Sequence, residues 1–195
     1  MGRSSAASDG YKRRGRGLCG GLNTNLYKAV YRDASDDAEY VTVGKKLRQT
    51  IGKTGKKIVA DWEVADPVPF NDAKPIAKFL TEKFLSGEYD KISVAFNNFV
   101  STLTQTPTVV QLLPISASGL AEKQDYEGVG TDEIGETDKA AAMNSDYEFE
   151  PNADGVLDKL LPLYINFQIY QMFVEALASE HSARMVSMKA ATDNA

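Results

Sequence analysis

Gly15, Gly17 and Gly20 in the stretch GRGLCGGLNTNLYKAV satisfy the spacing G-x-G-x-x-G. Glycines so spaced let a dinucleotide pyrophosphate approach a helix N-terminus, where free N–H groups favour negative charge. The fingerprint also needs a buried strand before the glycines and an acidic residue closing a second strand about 20 positions on. SDGYKRRGRG has almost nothing to bury, and YRDASDDAE, around Asp36 and Asp37, reads as a loop. A second phosphate-binding pattern, Gly52-Lys53-Thr54, lacks its earlier glycine because position 47 is Leu47. Without that glycine the phosphate-cradling loop cannot be built. An α/β nucleotide-binding enzyme using the Gly15–Gly20 loop stands as the alternative reading of the chain.

Nucleophilic and metal chemistry are poorly supplied. The sequence holds one cysteine, Cys19, and one histidine, His181. That excludes an internal disulfide, a cluster of thiolates and a multi-histidine metal site. Cys19 is expected to be a small buried thiol, and His181 a polar member of a helix–helix seam. Ten carboxylates between Glu122 and Glu150 outnumber Lys123 and Lys139, but no D-x-D-x-D-G loop is present, so they read as a solvated, mobile insertion. A net charge of −5 argues against nucleic-acid binding, which is driven by phosphate neutralisation. The cluster Lys12, Arg13, Arg14 and Arg16 is the counter-signal and reads as a solvated tail. No catalytic, cofactor-binding or metal-ligating residue is assigned.

The elements that would hold any site follow from periodicity. Residues 1–14 carry no apolar pattern and read as a flexible leader. LNTNLYKAVYRDA repeats Leu22, Leu26, Ala29 and Val30 at helical spacing, with Asn23 as a possible cap. AEYVTVG and KKIVADWEV are short and β-branched, hence strands, with Trp62 in the core or at a sheet edge. KKLRQTIGKTG between them is helix-like up to its glycines. NDAKPIAKFLTEKFLSGEYD predicts an amphipathic helix with Ile76, Phe79, Leu80, Phe84 and Leu85 on one face and Gly87 closing it. KISVAFNNFVSTLTQTPTVVQLLPIS supplies two further strands, a hairpin or a neighbouring pair. The fold class is therefore α/β with a mixed sheet, a central domain over 15–153 interrupted by the acidic insertion 121–150.

From residue 154 to residue 195 the pattern is helical throughout. Leu157, Leu160, Tyr164, Phe167, Val174, Ala178, Met185 and Met188 fall on alternating three- and four-residue steps, a heptad seam with Gln171 and His181 as polar members. Pro162 should kink this helix or mark a restart. A helix this long cannot bury its whole seam on a small domain and requires a partner helix.

GLCGGLNTNLYK at Gly17–Lys28 and ASEHSARMVSMKAATDNA at Ala178–Ala195 resemble the gamma subunit of the rotary F-type ATP synthase. VGKK near Gly44, QTPTVVQLLP and LLPLYINFQIYQ match in the expected order between them. The resemblance implies a noncatalytic subunit: a central α/β domain beside an antiparallel coiled coil, of which the last helix is half. It implies as partners the alpha and beta subunits, epsilon and the membrane c-ring, with no nucleic acid and no cofactor. It implies a peripheral position on the cytoplasmic face of an energy-transducing inner membrane, with membrane contact only through the ring. Against the family pattern, the leading helix has no counterpart, Gly15 stands where an aspartate belongs, and the last helix stops early. The chain is thus expected to be the central part of such a subunit, incomplete at its first strand. On the last helix, Glu175, Glu180, Arg184, Met185, Met188 and Lys189 are the expected interface groups.

Overall fold

The computed structural model describes residues 19–35, 37–115 and 153–194. In chain order the elements are α1 (Leu22–Asp33), β1 (Tyr40–Val43), α2 (Lys45–Lys53), β2 (Ile58–Trp62), α3 (Phe70–Leu85), β3 (Ile92–Phe99), β4 (Gln105–Leu113) and α4 (Ala153–Asp193). The leader 1–14, the glycines at 15 and 17, where the domain is expected to lack its first strand, and the acidic insertion lie outside the described residues.

β1, α2 and β2 form a parallel βαβ unit, with Val41 opposite Ala60 and Val43 opposite Trp62. Gly44 makes the turn between β1 and α2 at φ +105, a conformation side-chain-bearing residues avoid. Its N–H donates to the Trp62 carbonyl at 2.8 Å, locking the turn to the next strand. β3 and β4 are an antiparallel hairpin running from the Phe99–Gln105 pair to the Ile92–Leu113 pair. Parallel and antiparallel pairing thus both occur, as expected. Among the described residues they occupy two two-stranded sheets rather than one continuous mixed sheet.

Side-chain alternation along β3 builds the layers. Val94 and Phe96 join the main core with Val41 and Val43 of β1, Ile76 and Leu80 of α3, and Ile169, Met172 and Phe173 of α4. Ala95 joins a second cluster with Leu26 and Val30 of α1, Tyr40 of β1, and Leu47 and Ile51 of α2. The strands are therefore sandwiched, with α1 and α2 on one side and α3 and α4 on the other. Trp62 is half-buried, edge-on to Phe79 of α3 with ring centroids 5.0 Å apart.

Three local expectations are corrected. Asn23 does not cap α1: the helix begins at Leu22 behind Gly21, and the Asn23 amide instead reaches the Cys19 sulfur at 3.6 Å. Leu85 does not share the buried face of α3 and is 78% exposed. Nine positions past Ile76, at about 3.6 residues per turn, it falls roughly half a turn away from that face. Gly87 does end the helix, at φ +73 with its N–H on the Phe84 carbonyl. Third, α4 does not restart at Pro162: it is one helix of 41 residues, about 60 Å long. The ring removes one backbone hydrogen bond, while Ile165 and Ile169 beyond it are buried and hold the helix to the sheet.

Candidate functional site

The feature that the fold leaves open is the outer face of α4. Its inner face carries Ile165, Ile169, Met172, Phe173, Ala176, Ser179 and Ala183, all buried. Polar contacts supplement the apolar packing there. Ser179, with no exposed surface, donates its hydroxyl to the Asn97 carbonyl on β3 at 2.8 Å. One turn earlier, the Glu175 carboxylate accepts the Phe99 backbone N–H at 3.2 Å.

The opposite face is also apolar and largely uncovered, with the Phe167 ring meeting that of Phe70 at 5.3 Å between centroids. Leu160, Phe167, Val174, Met185 and Met188 are 43–57% exposed, and all five belong to the predicted heptad seam. Tyr164 and Ala178 on that seam are half-buried. α4 is consequently apolar on two sides, one spent on the sheet and one presented outward. Large apolar side chains at regular spacing on an exposed helix mark an interaction surface rather than scatter.

The structure sorts the expected interface residues into two groups. Met185, Met188 and Lys189 are exposed. Glu175 is half-buried on the β3 backbone, and Glu180 and Arg184 pair with each other with side chains only 15% and 22% exposed. These three charges are tied within the chain itself. His181 is half-exposed, and its Nε2 lies 3.2 Å from the Asp66 carboxylate in the loop between β2 and α3. Nothing in the sequence signals Asp66 as that partner, 115 positions before His181 in the chain.

The described part of the glycine loop is clipped onto the same helix. Cys19 and Leu22 form a small apolar cluster with Ala183. Gly20 adopts φ +55, and a Cβ there would touch the Ser187 hydroxyl at 3.6 Å. The space beside α4 would admit a Cβ, so it is the positive φ that favours glycine at this turn. Cys19 is buried, and desolvation raises its thiol pKa above the ordinary value, reinforced by the Glu180 carboxylate and opposed by Arg184. A thiol held protonated is a weak nucleophile. Among the described residues no group of histidine, cysteine and carboxylate side chains could hold a metal ion. None of the described helices is long and apolar enough to cross a membrane.

Comparison with known proteins agrees with this geometry. The ATP synthase family model matches residues 15–195. The ATP synthase gamma chain of Akkermansia muciniphila is 41% identical over 180 residues, covering 92% of this chain and 60% of that protein. That of Methylacidiphilum infernorum is 42% identical over 185 residues, again covering 92% and 60%. The chain thus spans about 60% of the length of these relatives. Among solved structures, one chain from the central stalk and c-ring of the Tetrahymena thermophila mitochondrial ATP synthase superposes with a TM-score of 0.69. Its identity is 20%, covering 97% of this chain and 76% of that one. A chain from the Euglena gracilis mitochondrial ATP synthase rotor gives 0.65 at 15%, covering 99% and 68%. At these identities the structures show a shared fold alone. A small α/β body built around one long two-faced helix, matched by the family model over nearly its whole length, belongs to the ATP synthase gamma chain family.

Proposed function

We propose that the protein is a noncatalytic central-stalk subunit of a proton-driven ATP synthase. It couples proton flow through the membrane ring to ATP synthesis in the alpha/beta hexamer. The observation that carries this reading is the second apolar face of α4, exposed from Leu160 to Met188 on a helix whose first face is already committed to the sheet. Such a face is suited to a helical partner in a coiled coil and to the walls of a surrounding assembly. Residues 15–153 form the body and 154–195 the beginning of the shaft. Met185, Met188 and Lys189 meet the surrounding subunits, while Glu175, Glu180 and Arg184 set the helix orientation that aims them. The partners are the alpha and beta subunits, epsilon and the c-ring, and the complex lies at the cytoplasmic face of an energy-transducing inner membrane.

Co-expression with alpha and beta subunits of an ATP synthase tests this. A Met188→Cys variant in a Cys19→Ser background should co-purify with the hexamer and cross-link to alpha or beta, whereas Lys53→Cys should not. A chain that elutes apart from both subunits, or cross-links equally from both positions, overturns the proposal. Equilibrium titration with NAD, FAD or ATP separates it from the nucleotide-binding alternative, because no stoichiometric site is expected.

A further inference from the structure

Residues 45–57, KKLRQTIGKTGKK, contain six cations and no acid in a chain of net charge −5. α2 turns Leu47 and Ile51 into the core. At about 3.6 residues per turn, Arg48, Lys45, Lys53 and Lys46 all fall on the opposite side, within an arc of roughly 160°. All four are exposed. Arg48 is tied to Asp61 at 3.0 Å and Lys57 to Glu39 at 2.7 Å. Lys45, Lys46, Lys53 and Lys56 have no ion-pair partner among the described residues. Lys28 and Arg32, one turn apart on α1, extend the charge on the helix packed beside α2.

The character of this face narrows its partner. Gly52 and Gly55 stand in it without side chains, with open space where their Cβ atoms would be. Protein interfaces enrich aromatic residues, methionine and arginine at their cores and deplete lysine, and no aromatic or methionine lies between residues 45 and 57. Arginine forks give planar, bidentate phosphate recognition whereas lysine acts as a point charge, and the arginine here is held by Asp61. Lysines on flexible stems, spread around the outer side of a helix, suit a sheet of laterally mobile anionic groups. With its apolar side chains turned inward, the helix would rest at headgroup level rather than insert.

We infer that α2 and the turn after it form a docking face for a bilayer bearing anionic headgroups, so that this chain touches lipid directly. The inference does not rest on the rotor reading, which requires membrane contact only through the ring. Vesicle binding by the isolated chain tests the one without the other.

The full chain is sedimented with vesicles of phosphatidylcholine alone, and with vesicles of equal phosphatidylcholine and phosphatidylglycerol. Binding is expected to the second only, and to vanish near about 0.5 M salt, where charge screening acts within a few Å. Reversal of Lys45, Lys46, Lys53 and Lys56 to Glu should lower the partition coefficient at least about a hundredfold. Circular dichroism and thermal melting would confirm that the variant folds. A control reversing Lys74, Lys78, Lys83 and Lys91 to Glu should retain most of the binding. Equal binding to both vesicles, an equal loss in the control, or no loss in the α2 variant overturns the inference. So does binding to a soluble poly-glutamate peptide without binding to vesicles, which would assign the face to an acidic protein.

Discussion

The Ser179 hydroxyl and the Asn97 carbonyl oxygen, 82 positions apart in sequence, meet at 2.8 Å in a fully buried contact between α4 and β3. No water reaches the hydroxyl to replace this bond, since Ser179 has no exposed surface. Ser179→Ala should therefore cost about 1 kcal/mol of unfolding free energy in urea titration. Ser179→Leu should cost clearly more, because the added carbons must enter a packed helix–strand seam. If the leucine variant were as stable as the wild type, the packing described for this seam would be wrong.

The two sides of α4 should respond oppositely to truncation. Phe173 is 3% exposed in the main core, and Phe173→Ala should cost about 3–5 kcal/mol. Phe167 is 57% exposed with its ring against Phe70, and Phe167→Ala should cost about 1 kcal/mol or less. Denaturant midpoints compared at constant slope would check both values. Similar losses at the two positions would mean that α4 is rotated from the orientation described.

Self-association is the expected behaviour of the isolated chain, because the outward stripe of α4 is left largely exposed by the described residues. Replacing Phe167, Val174, Met185 and Met188 with Ser should shift the protein toward monomer in light scattering across a concentration series. Stability should change little, as all four residues are exposed. A wild-type chain that is monodisperse and monomeric at high concentration would contradict this.

Cys19 links pH to stability with a definite sign. Burial raises its folded-state pKa above the ordinary thiol value. The folded protein thus holds that proton longer than the unfolded chain does, and the stabilisation is complete below the ordinary value. It is lost as pH rises through the raised folded value. Tyr40, also raised chiefly by burial, acts in the same direction at alkaline pH. The melting temperature should fall on the alkaline side, and less steeply in a Cys19→Ala variant. Native Cys19 should also react slowly with a thiol reagent at neutral pH; rapid labelling before unfolding would refute its burial.

Much of the element order was legible in the sequence for local reasons. The β-branched run Val41–Thr42–Val43 and the alternation through Val94, Ala95 and Phe96 announce strands, and the chain between Val100 and Thr104 is short enough to close a hairpin. The orientation of α4 was not legible. Ile165, Ile169, Met172 and Phe173 make one apolar stripe, and Leu160, Phe167 and Val174 make another. Periodicity within a single helix cannot say which faces inward. The heptad seam was real, but it is the stripe left over after the sheet has taken the other. Long-range polar pairs were hidden for a related reason: nothing near Ser179 or His181 in sequence points to Asn97 or Asp66. Of the glycine pattern only Gly20 lies among the described residues. Its φ of +55 is a backbone shape that side-chain-bearing residues rarely adopt, which a glycine spacing can signal without a ligand.

The grip of α4 on β3 has a mechanical consequence. Glu175 holds the N–H of Phe99 and Ser179 holds the carbonyl of Asn97, one helical turn apart and on a single strand. Both anchors are main-chain atoms of a strand that is itself bonded along its length to β4. The helix can neither roll about its own axis nor slide along it without breaking both bonds. It is keyed to the body like a spindle to a flange, so torque applied at Phe167 or Met185 turns the whole α/β domain in phase rather than spinning the helix in its seat.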